Sequence, residues 1–171
     1  MSTLVDGIHL FADKAGLLNL EGHVETALPG VRFFRASKGS PRQPLVYQSG
    51  IIIVVQGRKV IHLVLGVPMP LECEAFVDNG LPIMGLSIDV KPALLHQLVN
   101  HMQQHQRYSQ SEPCSQISCA QAAKVDAPLE NIIQRLLVIL SNPVETDIFG
   151  VDVIKELVYR VLCGPQGKTL F

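Results

Sequence analysis

The apolar positions between residues 22 and 89 follow the pattern of short strands. Ile51 to Val55 are five consecutive β-branched residues, a Gln-Gly-Arg-Lys turn follows, and Val60 to Leu63 form a second apolar run. A hairpin that is apolar on both faces fits a sheet that lines a barrel on one side and is covered by helices on the other. We expect strands at 23–26, 31–35, 51–55, 60–63, 64–67, 71–77 and 81–88, and a polar loop over 37–44.

A helical pattern precedes these strands. Leu4, Ile8 and Phe11 fall on one face of a predicted helix over residues 2–15. Ser2 is placed to cap this helix, and Gly16 to end it.

The period becomes helical again after residue 89. Pro92 suits the first turn of a helix, and the polar, breaker-containing segment 103–121 is interpreted as a loop. Asp126 is a suitable N-cap for the next helix, and the Ser-Asn-Pro turn at 141–143 makes an antiparallel hairpin with the last one. The apolar stripe of that last helix is predicted to comprise Ile148, Val151, Ile154, Leu157, Val158, Val161 and Leu162.

These patterns predict a mixed fold, β then α. Strands without intervening helices favour a sandwich or barrel, followed by a small helical layer. We therefore divide the chain into two parts. Residues 1–89 contain a short helix and the strands, and residues 90–171 form a helical subdomain for packing and dimerisation.

Composition narrows the function classes. Apolar residues make up 47% of the 171 residues, charged residues 17%, and the net charge is −1, so the chain itself lacks the basic excess of a nucleic-acid-binding surface. No apolar stretch approaches the roughly 18 residues that span a bilayer, and the acidic N-terminus is unlike a secretion signal. The four cysteines form no CxxC pair, which favours reduced thiols in the cytoplasm.

The sequence offers little enzyme chemistry. A metal-dependent cupin would need several histidines and a glutamate on neighbouring strands, and the strand region holds only His23 and His62. His101 and His105 have the spacing of a two-ligand site on a helix but no third ligand nearby, so they are interpreted as solvated surface. We expect no cofactor, no bound metal and no catalytic residue.

Several motifs nevertheless occur in one order along the chain. They are T-x-x-P-G-V-x-x-x-R from Thr26, V-V-Q-G-R-K from Val54, V-P-M-P from Val67, L-P-I-M-G-L-S-I-D from Leu81 and E-L-V-Y-R-V-L-C-G-P-Q-G from Glu156. In this order the chain resembles the N-terminal regulatory domain of AraC-type transcription regulators, from about Thr26 to its end.

The resemblance implies a cupin-like β-barrel or jelly roll followed by the helical layer. It implies a cytoplasmic bacterial regulator that senses a small-molecule effector, forms a homodimer and reaches promoter DNA and RNA polymerase through a C-terminal helix-turn-helix domain. The chain ends at Phe171, where that domain would begin, so we expect it to be absent here. The alternatives are a stand-alone cupin enzyme and a truncated antagonist that heterodimerises with a full-length regulator.

The resemblance also predicts a gap in the chain. In the family, a further hairpin usually follows the G-R-K strand, whereas here Leu63 passes directly to Val64. A missing hairpin would leave an open sheet edge. We therefore expect about 15 further residues between these two positions, from the usual lengths of two strands and a turn. An intact mass above 18.7 kDa would support this expectation.

Two sets of residues are candidates for function. Arg35 matches the arginine of the family's P-G motif and could bind an anion or pair with Glu72 or Glu74. The predicted effector pocket, for which a filled core is the alternative, comprises Arg35, Tyr47, His62, Met69, Cys73 and Met84. The helices predicted for packing or dimerisation carry Leu129, Ile133, Leu136, Leu137, Leu140, Ile154, Leu157 and Val161.

Overall fold

A computed structural model describes residues 3–47, 50–57, 62–65, 69–75, 77, 80–105, 120–123 and 125–164, with the backbone alone at 40–47, 62–65, 69–75 and 120–123. The helices are α1 (Leu4–Lys14), α2 (Pro92–Gln104), α3 (Ala127–Leu140) and α4 (Pro143–Cys163). The strands are β1 (Gly22–Glu25), β2 (Val31–Ala36), β3 (Ser40–Tyr47), β4 (Gly50–Gln56), β5 (His62–Leu65), β6 (Met69–Ala75), β7 (Ile83–Asp89) and β8 (Ala120–Ala123).

The strands form a main sheet and a separate ribbon. The main sheet has the order β1-β2-β7-β4-β5-β8, and β3 pairs with β6 in the ribbon. All of these strand pairs are antiparallel. The predicted order of strands followed by helices is confirmed, while closure into a barrel is a proposal considered below.

Three of the predicted boundaries in the strand region are wrong. Residues 40–44 belong to β3 rather than to a polar loop, because β6 supplies their backbone partners. The two predicted strands at 60–63 and 64–67 are represented by one strand, β5, in which Leu63 and Val64 are consecutive. Ala120 lies in β8 rather than in a loop, since the edge of β5 pairs with it. A missing hairpin was predicted to leave an open sheet edge. In the structure, β8 pairs with the edge of β5 and covers it.

The N-terminal helix is capped one residue later than predicted. Oγ1 of Thr3 accepts a hydrogen bond from the backbone N–H of Asp6 at 3.2 Å, and the backbone N–H of Thr3 donates to Oδ2 of Asp6 at 2.9 Å. This reciprocal capping box satisfies two helix-terminal groups at once. The predicted cap at Ser2 is replaced by Thr3, and Gly16 follows the helix with a φ of 70°.

One face of the main sheet, which we call the helix-side face, packs against the helices. Val31, Phe33, Ile53 and Leu86 are buried on it. The ring of Phe33 meets that of Phe11 on α1 edge to face, with centroids 5.6 Å apart. α1 also contacts β4, where Ile53 is buried, which confirms the predicted cover of this strand by a helix on one side.

The other side of the main sheet is the opposite face. By strand alternation it carries Phe34, Ile52 and Val54, which lie between residues of the helix-side face. Ile52 is only 9% exposed. The β4 strand therefore is apolar on both faces, as its β-branched run indicates.

The helical layer follows the predicted plan. Oδ1 of Asp126 accepts from the backbone N–H of Leu129 at 2.9 Å and caps α3, and the two-residue connection 141–142 folds α4 back along α3. Oγ1 of Thr146 donates to the carbonyl oxygen of Ile139 at 2.8 Å, which fixes the turn. Among the described residues, no helix has the length and apolar character needed to cross a membrane.

The stripe predicted for α4 is wrong at two positions. Ile148 is 61% exposed and Val151 is 70% exposed. The buried face instead passes through Thr146, Gly150 and Val153, which recur at the helical spacing. Because α4 is apolar around much of its circumference, its sequence alone does not select the face that packs.

Candidate functional site

Arg35 lies at the end of β2 on the helix-side face, where it is opposite Met84 in the strand register. Its Nη1 donates to the carbonyl oxygen of Leu20 at 2.9 Å and to Oε1 of Glu21 at 2.8 Å. Its side chain is only 13% exposed. The partner that the structure gives Arg35 is thus Glu21, and the side chains of Glu72 and Glu74 lie outside the described part of the chain.

Glu21 is fixed by more than this ion pair. The backbone N–H of Ser37 lies 3.1 Å from both of its carboxylate oxygens. Hydrogen bonds from Ser37, reinforced by the Arg35 guanidinium, lower the pKa of Glu21. No sequence pattern indicates this pair, because its members are 14 residues apart and Glu21 lies in the connection between α1 and β1.

Met84 is 1% exposed and belongs to the core. Beside it lies Gln56, a buried polar residue that sequence reasoning did not select. Nε2 of Gln56 donates to the carbonyl oxygen of Pro82 at 2.7 Å, and its Oε1 lies 2.6 Å from Nε2 of His9. The sequence feature that could have identified Gln56 is its position as the single polar residue at the end of the apolar run of β4.

The other four predicted pocket residues are described only by their backbone. Tyr47 is opposite Met69 in the β3–β6 ribbon, and Cys73 lies further along the same ribbon, opposite Gln43. His62 lies in the main sheet, opposite Ile53. The structure therefore brings Tyr47 and Met69 together and leaves the complete pocket a prediction.

The opposite face of the main sheet carries an ion pair and an aromatic side chain. Nη2 of Arg32 donates to Oδ1 of Asp89 on β7. The ring of Phe34 lies over Gly85, where an added Cβ would collide with its Cζ. A glycine at this position therefore allows the aromatic ring to lie against the sheet.

A second surface lies on the α3–α4 hairpin. We define the hairpin patch as the large apolar side chains that are between 49% and 70% exposed on these two helices: Val138, Val144, Ile148, Phe149 and Val151. A groove of about 490 Å³ lies beside it and is lined in part by Asn131, Arg135 and Glu145. A patch of this kind is typical of a protein contact surface.

None of the eight residues predicted for packing or dimerisation belongs to the hairpin patch. Leu129 and Ile154 are partly buried, and the remaining six are buried in the core: Ile133, Leu136, Leu137, Leu140, Leu157 and Val161. Their position accounts for packing within the core. Over the described ranges, no three His, Cys, Asp or Glu side chains are grouped as metal ligands.

Comparison with known families decides the broad assignment. The family model of the AraC-type transcriptional regulator N-terminus matches residues 27–169. The chain belongs to this family. The resemblance predicted from the motifs is thereby confirmed, and the AraC-type domain extends from the turn before β2 to beyond α4, with α1 and β1 preceding the match. A search of curated proteins gives no match to the chain.

Proposed function

We propose that this AraC-type domain senses a small-molecule effector and dimerises, in the cytoplasm of a bacterium. It would control promoter binding, and contact with RNA polymerase, through a C-terminal helix-turn-helix domain. The family match over residues 27–169 supports this role. The observation that carries the dimerisation part is the hairpin patch.

The hairpin patch fits a second copy of the same chain. Val144, Ile148 and Val151 are spaced by four and then three residues, which is the spacing of a helix–helix seam. Their side chains project from the face of α4 opposite to the one that packs in the core. A symmetric dimer that uses the same patch on both protomers would remove these three side chains from water.

Sedimentation measurements test the dimer. We expect the wild-type protein to sediment as a dimer and Ile148→Glu to sediment as a folded monomer, because a carboxylate in an apolar seam is strongly unfavourable. Leu10→Glu is the matched control, since Leu10 is a comparably exposed leucine, 53% exposed, on α1. A wild-type monomer, or a dimer that survives Ile148→Glu, would contradict the proposal.

For the effector, we propose that the β3–β6 ribbon closes over the opposite face in a cupin-like barrel. The low exposure of Ile52 supports a covered apolar interior on that side. Tyr47, Met69 and Cys73 of the ribbon would contribute to the pocket, while His62 of β5 pairs with Ile53 and so belongs by register to the helix-side face. Arg35 and Met84 lie on the helix-side face, and we assign them a supporting role behind the pocket wall.

The mechanism then follows from the two faces of one sheet. An effector against the opposite face would alter the sheet, and α1 and the helical layer pack on the other side of it. Such a ligand shifts the helical layer only by its difference in affinity between two arrangements. A shift of the helical layer would change the spacing of the two DNA-binding units in the dimer.

A ligand screen by thermal shift, on the dimeric protein, tests the pocket. A compound that raises the melting temperature of the wild type should lose its effect on Val54→Trp, because the indole would fill the opposite face. Met84→Leu, a change of similar volume on the helix-side face, should retain the effect. If the compound raised the melting temperature of folded Val54→Trp as much as that of the wild type, it would bind outside the opposite face, contrary to the proposal.

A further inference from the structure

The C-terminal end of α2 and the residue that follows it present two imidazoles to one groove. His101 and His105 are four residues apart, and both line a groove of about 320 Å³ together with Leu98, Met102 and Tyr159 of α4. The backbone N–H of His105 donates to the carbonyl oxygen of His101 at 3.3 Å, so the helical spacing holds as far as His105. Side chains at this spacing lie one above the other on the same face.

The ring of His101 is held in one tautomer. Its Nδ1 lies 2.8 Å from the carbonyl oxygen of Gln97, and because a carbonyl only accepts, Nδ1 carries the hydrogen. The lone pair of the neutral ring is then on Nε2. A backbone carbonyl that accepts from one ring nitrogen while the other remains available is the arrangement found around metal-bound histidines.

The position on the helix also favours a cation. The carbonyl end of a helix carries partial negative charge, which attracts positive charge within the last turn. Among the described residues that line the groove there is no carboxylate, so these residues do not offer hard cations such as Mg²⁺ and Ca²⁺ their preferred oxygen ligands. Imidazole nitrogen suits zinc, nickel and copper ions.

We propose that His101 and His105 form a two-histidine site for a divalent transition-metal ion. Nε2 of His101 and one ring nitrogen of His105 bind the ion, and water molecules complete its coordination. Two protein ligands make this an exchangeable site rather than a structural one. It involves neither the opposite face of the sheet nor the hairpin patch, and so it goes beyond the function proposed above.

Calorimetric titration of the full chain with Ni²⁺ tests the site. We expect His101→Ala and His105→Ala each to weaken Ni²⁺ binding by about tenfold or more, since even loss of a supporting hydrogen bond costs about that much at a metal site. His96→Ala, which removes another exposed histidine of α2, should bind as the wild type does. Cys163→Ser should do so too, which excludes the exposed thiol as the ligand.

Electron paramagnetic resonance of the Cu²⁺-loaded protein gives an independent readout. The wild-type spectrum should show two coordinated imidazole nitrogens, and each single variant only one. His101 and His105 are both exposed, so circular dichroism should show that each alanine variant keeps the wild-type fold. The proposal is overturned if the wild type binds no Ni²⁺, if either variant binds it as tightly as the wild type, or if His96→Ala loses binding to the same extent.

Discussion

Oε1 of Gln56 lies 2.6 Å from Nε2 of His9, across a separation of 47 residues. This contact joins the end of β4 to α1. It depends on an irregularity in the strand, because the pairing with β7 shifts between Val54 and Gln56. The shift places Gln56 opposite Met84 on the helix-side face, where its amide also donates to the carbonyl oxygen of Pro82 at 2.7 Å.

Replacing Gln56 by methionine should lower the free energy of unfolding by about 1–3 kcal/mol. The side-chain volume is nearly conserved, but the carbonyl of Pro82 and the ring of His9, both partly buried, lose their partner. Urea denaturation measures the change. The control is Gln104→Met, at an exposed position in the last turn of α2, which should stay within about 0.5 kcal/mol of the wild type. An equal effect of both substitutions would show that the amide contacts contribute no net stability.

Much of the fold could be predicted because it follows from periodicity. The buried positions of β2 alternate, and α3 has both its cap at Asp126 and a clear apolar stripe. β8 could not be predicted, since Ala-Gln-Ala-Ala has neither alternation nor strand propensity and is a strand only because β5 offers it an edge. The exposed face of α4 was also undetermined, because Ile148 and Val153 are equally apolar in sequence.

The candidate site was less predictable than the fold. Motif order identified Arg35, yet its contact with Glu21 depends on how the chain before β1 lies against β2. Strand register decides which face a residue occupies, and a shift of one residue reverses that face. The irregularity at Val55 is such a shift, and nothing in the run of β-branched residues indicates it.

The Arg35–Glu21 contact predicts a pH dependence of stability. In the folded protein the pKa of Glu21 is below the ordinary value of a glutamate, through the hydrogen bonds from Ser37 and the Arg35 guanidinium. A lowered folded pKa stabilises the protein above the unfolded value, and this contribution is lost as the pH falls through the folded pKa. Glu21→Gln should therefore show a smaller loss of stability between pH 6 and acid than the wild type.

Denaturant melts at a series of pH values measure that difference. The carboxyl resonance of Glu21 in NMR titrations should have a midpoint below 4.5, and Arg35→Ala should raise it. Because Ser37 still donates its backbone N–H in that variant, the midpoint should remain lowered in part. An identical pH dependence in wild type and Glu21→Gln would mean that the carboxylate does not contribute in the folded state.

Gly150 of α4 provides a test of how the helical layer meets the strands. A Cβ added there would lie 2.8 Å from Cδ1 of Leu28, a buried residue in the turn before β2. Alanine has a better helix propensity than glycine by about 1 kcal/mol, but overpacking a core contact costs about 1–3 kcal/mol. We expect Gly150→Ala to destabilise the wild type, since Leu28 is packed and cannot move away without displacing its neighbours.

The same substitution should change sign when Leu28 is shortened. Leu28→Val removes the δ-carbon atoms that an alanine at position 150 would meet, so in that background Gly150→Ala should stabilise by up to about 1 kcal/mol. A double-mutant cycle from urea denaturation gives the interaction energy directly. Additive effects of the two substitutions would show that Leu28 and Gly150 are not in close contact, and that α4 packs against the turn before β2 less tightly than the structure indicates.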